Sequence, residues 1–167
     1  MTAWTTAPEP SGSPVALDLW RTYYTELSDR YYLLHEGRRT DPTELERGIA
    51  EDSGPPLVPP TGLLLVGWYD GTPGGTAGIR MADATTAELT RVFIREGLRG
   101  KGGSTVLLTA VENAARALGA RRMILDTRHD LVEARALYAR HGYEETERHN
   151  HSQYAEHWFR KELLKTT

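Results

Sequence analysis

Between Leu98 and Ser104 the chain reads Leu-Arg-Gly-Lys-Gly-Gly-Ser, and apolar residues then recur at helical spacing: Val106, Leu107, Leu108, Val111, Ala114, Ala115 and Leu118. The stretch just before, Glu88 to Ile94, is rich in strand formers. A strand, a basic glycine-rich turn and a helix start together make an anion site. Free backbone N–H groups point outward at a helix N-terminus, and the helix dipole adds positive potential there. Gly100, Gly102 and Gly103 carry no Cβ to keep a ligand away from the backbone. The chemistry implied is binding of a phosphorylated ligand.

Three phosphate loops use such glycines. A Walker loop closes with lysine and then serine or threonine after its last glycine, whereas here Lys101 precedes Gly102. A dinucleotide fingerprint needs a third glycine, which Gly103-Ser104-Thr105 does not supply at the right place. The third, the acyl-CoA turn R-x-x-G-x-[GA], is met by Arg99, Gly102 and the small Ser104, with serine in the last position.

From Ala87 to Tyr143 the chain resembles the core of the GNAT superfamily of N-acetyltransferases, in its small bacterial form. The first motif of that family is a strand with an acidic residue, a linker, the turn and a helix. Glu88 to Ile94, Arg95 to Leu98, Arg99 to Ser104 and Thr105 to Leu118 follow that order. The second is a strand and then A-x-x-L-Y-x-x-x-G-[FY] on a helix. Met123 to Thr127 and Ala134-Arg135-Ala136-Leu137-Tyr138-Ala139-Arg140-His141-Gly142-Tyr143 match it. The tail from Tyr154 to Leu163 looks like a common ending among small members. The family often has asparagine three residues before the motif alanine, contacting CoA; here Leu131 stands there.

The resemblance implies an α/β (mixed α+β) fold. Its central mixed sheet has helices on both faces, and two central parallel strands splay apart. Acetyl-CoA would be the co-substrate, with no metal. Backbone groups of Val92, Phe93 and Ile94 would bond the pantetheine amides, and Gly100 to Ser104 would hold the pyrophosphate, with charge from Arg99 and Lys101. Tyr138 would protonate the leaving thiolate. Glu88 would take the amine's proton; simple strand alternation puts it on one face with Thr90, Val92 and Ile94. Tyr24, Tyr31, His149 and Tyr154 are candidates for the acceptor pocket, with Tyr23 and Tyr32 beside the first two. The acceptor would be a primary amine of a small molecule, or a peptide or protein amine, attacked directly in a ternary complex. Two alternatives stay open: an acyl-CoA-binding sensor without activity, and a transferase for a longer acyl group. The resemblance leaves room for a homodimer.

The remaining elements must position these groups. Residues 1 to 14 are rich in Thr, Ser, Pro and Gly and read as a loose arm, followed by a single domain from 15 to 167. Leu17, Trp20, Tyr24, Leu27, Tyr31 and Leu34 recur at steps of three and four, which predicts a helix from 15 to about 36. A short helix from Glu44 to Ala50, capped by Asp41 or Thr43, comes next. Gly62 to Tyr69 and Thr76 to Met81 read as a strand pair around a turn at 70 to 75. The last pair is expected at 143 to 149 and 155 to 163. Net charge of −3 with interleaved signs offers no field for nucleic acid. No apolar run spans a membrane, there is no secretory leader, and no cysteine is present, so a cytoplasmic location is expected. His149, His151 and His157 read as surface and packing residues rather than a zinc set.

Overall fold

The computed structural model describes residues 3–54 and 56–163. Their elements are β1 (Trp4–Pro8), α1 (Pro14–Glu36), α2 (Pro42–Glu51), β2 (Gly62–Tyr69), β3 (Thr72–Met81) and β4 (Thr86–Ile94). After them come α3 (Gly103–Ala117), β5 (Arg122–Thr127), α4 (Val132–Arg140), β6 (Glu144–Thr146) and β7 (His157–Glu162). A short 3-10 turn, Glu96–Leu98, lies before α3. One seven-stranded sheet runs β1-β2-β3-β4-β5-β7-β6. It is antiparallel except between β4 and β5.

Local chemistry sets the helix limits. Ser13 caps α1 by accepting from the Ala16 N–H, Pro14 fills the first turn, and Gly37 ends the helix in the left-handed region. Asp41, not Thr43, caps α2, accepting from the N–H groups of Thr43 and Glu44. The main core lies between the sheet and α3: Leu65, Ile79, Leu89, Leu107, Leu108, Val111, Met123 and Leu125. On the other face α1 contributes Ala16 and Leu19 against Leu64, Val66 and Phe93.

Four expectations change. The loose arm is a strand over Trp4–Pro8, paired with β2 from Trp4↔Tyr69 to Pro8↔Leu65. Its Thr and Pro content is no obstacle at a sheet edge, where one side of the strand needs no hydrogen-bonded partner. Trp4 is 3% exposed; its ring occupies the space a Cβ on Gly103 would need, and its indole N–H donates to the Lys101 carbonyl at 3.1 Å. Second, the β2–β3 turn is only Asp70-Gly71, and β3 begins at Thr72. Third, Leu17 and Leu34 are 52% and 60% exposed, so the apolar spacing that predicts α1 does not mark its core stripe.

The fourth concerns β4. Arg91 has φ 54°, and the register with β3 slips between Thr76↔Phe93 and Gly78↔Thr90. A bulge of this kind resets the side-chain alternation. Ala87, Leu89, Val92 and Ile94 therefore face α3, while Phe93 packs with Leu19 beneath α1. Glu88 and Thr90 share the Phe93 side, so the expected grouping of Glu88 with Val92 and Ile94 does not hold.

Candidate active site

β4 and β5 pair only over Thr86↔Arg122, Ala87↔Met123 and Glu88↔Ile124. Beyond Glu88 they part, and a cleft of about 1910 Å³ opens along the gap. Thr90 to Ile94 line one wall, Asp126 to Arg128 and the α4 residues Ala134, Leu137 and Tyr138 line the other, and α1 and α2 form the roof. The parallel pairing thus ends where the site begins.

The glycine-rich turn forms a smaller recess of about 170 Å³ lined by Ile94, Leu98, Arg99, Gly100, Gly102 to Thr105, Leu137 and Arg140. Gly102 is the α3 N-cap at φ 83°, a conformation that favours glycine, and among the described residues no side chain caps the helix. The N–H groups of the first turn are therefore available to an anion. Gly103 serves packing instead, making room for Trp4. Lys101 sits over the Tyr69 ring at 5.7 Å and lines neither cavity. Arg99 lines both, with Nε donating to the Ile94 carbonyl at 3.0 Å and a terminal nitrogen 2.6 Å from Glu26. Arg140, at the end of α4, is a second arginine on this recess.

Tyr138 is 7% exposed and lines the cleft, with its ring edge-on to Tyr143. Among the described residues its hydroxyl has no hydrogen-bond partner. Burial, then the fields of Tyr23 and Asp126, push its pKa well above the ordinary phenol range. Tyr23, across the cleft on α1, is pushed up to about 12 by burial first; Arg128 and Arg91 lower it and Asp126 raises it. Asp126 accepts from Asn150 at 2.7 Å, and the same Asn150 accepts from Trp158 at 2.9 Å. Glu88 lines the cleft at its closed end and pairs with Arg80 at 3.0 Å.

Residues 17–143 match the Acetyltransferase (GNAT) family. The chain belongs to that family. Solved GNAT-type structures share its fold. An acetyltransferase of the GNAT family from Staphylococcus aureus superposes with TM-score 0.73 at 13% identity, over 96% of this chain and 99% of that one. PaiA N-acetyltransferase from Thermoplasma acidophilum, in complex with coenzyme A, gives 0.70 at 14%, over 96% and 99%. A GNAT family acetyltransferase from Elizabethkingia anophelis with acetyl-CoA bound gives 0.62 at 16%, over 98% and 100%.

In this GNAT domain the sequence-derived candidates divide. Tyr138, Glu88, Val92 to Ile94 and Arg99 line the one cleft, as do Tyr23, Tyr24, Tyr31, Tyr32 and Tyr154. Tyr24 is held there by its hydroxyl, which donates to Asp52 at 2.7 Å, and Tyr31 packs edge-on to Tyr154 at 5.3 Å. His149 is exposed and does not line it, because Asn150 anchors the loop inward through Asp126 and Trp158. His157 stacks on His129 and meets Glu145 at 3.1 Å. Sequence reading gave no site role to Arg91, Asp126 or Arg140. Arg91 and Asp126 lie on the two motif strands, and Arg140 on the second-motif helix, at positions the motifs do not specify. No helix among the described residues is long and apolar enough to cross a membrane.

Proposed function

We propose that this GNAT domain transfers an acetyl group from acetyl-CoA to a primary amine of a small molecule by direct attack with both substrates bound. The observation that carries the reading is Tyr138, 7% exposed, its hydroxyl without a protein partner among the described residues, at the wall of the gap between β4 and β5.

The residues present suit acetyl-CoA. The recess at the start of α3 suits a pyrophosphate, with backbone N–H groups and the charge of Arg99 and Arg140. Among the described residues no strand lies beside the β5-facing edge of β4 beyond Glu88, so Val92 to Ile94 can accept an extended amide chain by strand addition. Leu131, which also lines the cleft, offers no polar contact. When bound, acetyl-CoA supplies an activated acyl group with a thiolate as leaving group.

Three protons then move: one leaves the ammonium before attack, one reaches the sulfur from Tyr138, and the second proton shed by nitrogen as the amide forms restores the phenol. An alkylamine with a pKa of about 10.4 enters mostly as its ammonium and must lose a proton before it can attack. We assign that proton to Glu88. Its pair with Arg80 is a partly exposed cross-strand contact of the kind that contributes little and opens readily. Asp126, in the field of Tyr138, holds the ammonium on arrival. Tyr138 delivers its phenolic proton to the departing sulfur.

Thiol release from acetyl-CoA with a panel of amines, and the mass of each product, tests the reading; no acetylated product from any amine would end it. Calorimetric titration is expected to show CoA binding tighter than dephosphorylated pantetheine, and CoA at about 100 times its Kd should add about 2.7 kcal/mol of stability. Equal affinities would remove the phosphate role of the α3 recess. On an accepted amine, Glu88→Gln is expected to abolish the acidic limb of the pH–rate profile, while Asp126→Asn raises KM. A Glu88→Gln profile that overlays the wild type would rule out Glu88 as base.

A further inference from the structure

Among the cleft arginines that are not fully exposed, Arg30 and Arg128 meet acids and Arg91 does not; of the exposed ones, Arg39, Arg47 and Arg140 also lack an ion pair among the described residues. Arg128 grips Asp130 through two nitrogens at 2.9 and 3.0 Å, Arg80 meets Glu88 at 3.0 Å, and Arg30 reaches Glu133 at 3.1 Å. Arg91 has no carboxylate within ion-pair distance among the described residues. Its guanidinium lies over the Trp20 ring at 4.6 Å and donates to the carbonyl of Ser53. Burial holds its pKa below the ordinary value, yet a guanidinium stays charged at any working pH. A half-buried cation without an anion is costly to maintain, and this one sits on a bulge with left-handed backbone, itself an unfavourable conformation for arginine. Ser53 takes up only one of the guanidinium's donors, and Arg91 lines the cleft, so further N–H groups remain for a carboxylate, which an arginine fork can bind in two places at once.

Asp126 is the counterpart. It faces the same cleft from β5 and accepts from Asn150, but pairs with no cation among the described residues. The Tyr23 hydroxyl feels both groups, with opposite sign. One wall of the gap thus presents a fixed positive fork and the other a fixed negative group, with Trp20 and Tyr23 as the apolar lining beside them.

The geometry points to an acceptor that carries a carboxylate as well as its amine, a free amino acid or a similar small amino acid-like zwitterion, with Arg91 holding the carboxylate and Asp126 the ammonium. This rests on the acetyl-transfer reading above and narrows its substrate class. A polyamine would bring a second cation against Arg91. A peptide would bring a neutral amide, which leaves the fork unpaired.

The test uses matched substrates: an amino acid, its amide and its decarboxylated amine, each with acetyl-CoA, for wild type, Arg91→Lys and Arg91→Met. The expected result is a preference for the free acid of roughly 10²-fold in kcat/KM, the size usual for losing one partner of a buried charge pair. Arg91→Met should bring acid and amine together, with Arg91→Lys between, while CoA affinity reports that the variants are folded. Turnover of amine and acid at equal rates in wild type overturns the proposal and leaves the transferase reading standing. Should no compound turn over, calorimetry of the same three with the CoA-loaded protein decides. Carboxylate-dependent binding lost in Arg91→Met supports the proposal, and binding without regard to the carboxylate, or no binding, overturns it.

Discussion

Tyr138→Phe is expected to lower kcat by roughly 10²-fold with little change in CoA affinity. The ring is enclosed by Tyr143 at 5.8 Å and Phe159 at 6.1 Å, and phenylalanine fills the same space. Only the hydroxyl is lost, and no described residue depends on it for a hydrogen bond, so the variant should fold with almost unchanged stability. A drop in kcat would therefore report proton delivery rather than packing. The pH dependence has a definite sign. Burial raises the folded pKa above the ordinary phenol value of about 10, so the acid form persists throughout the neutral and mildly alkaline range. The wild-type rate should show no alkaline fall from Tyr138 below about pH 10. The linked stability contribution has the same direction: it is fully present below the unfolded pKa and lost as pH rises from there through the raised folded value. Unchanged kcat in Tyr138→Phe, with the chemical step shown to limit the rate, would make Tyr138 a packing residue.

Trp4→Ala should destabilise the domain by about 3–5 kcal/mol, the usual cost of truncating a buried aromatic. For a domain of this size that is a fall in Tm on the order of 10 °C. Trp4 packs on Tyr69 at 5.2 Å and fills the hollows above Gly74 and Gly103. Its indole N–H also fixes the Lys101 carbonyl, inside the turn that leads into α3. The same substitution should therefore weaken CoA binding. Trp4→Phe keeps most of the packing and loses the hydrogen bond, worth about 1 kcal/mol. Thermal unfolding together with CoA titration checks both effects. A Tm within about 2 °C of wild type, against the several degrees a lost core aromatic costs, would show that the strand is not anchored by this ring.

The second half of the molecule was legible in the sequence because its signals are local. The turn from Arg99 to Ser104 and the Leu137-Tyr138 pair carry their meaning in short spacings, and both line the cavities of the site. The first half depends on distant partners. Nothing between Trp4 and Pro8 announces that its partner is the stretch from Leu65 to Tyr69, far along the chain. Helical spacing found α1, yet the stripe it marked runs from exposed Leu17 through the cleft aromatics to exposed Leu34, while Ala16 and Leu19 make the core contact. The bulge at Arg91 was equally hidden. A non-glycine residue at φ 54° in a strand has no local signature, and one extra residue there reverses which side Glu88 shares. Arg91 and Asp126 escaped for a related reason, since what distinguishes them is the lack of an ion-pair partner among the described residues and their place in the cleft, and neither is written along the chain.

The short contact between β4 and β5 has a mechanical meaning. Among the described residues, three paired positions, from Thr86 to Glu88, join the plate β1-β2-β3-β4 to the plate β5-β7-β6 within the sheet. The two plates are held otherwise by the core under α3 and by ties from α1, such as Arg128 to the Leu27 carbonyl at 3.0 Å. A chain-like ligand lying in the gap would complete the missing rungs and act as a keystone, turning two hinged plates into one beam. Occupancy of the cleft would then be felt across the whole sheet as stiffness, well away from the atoms that react.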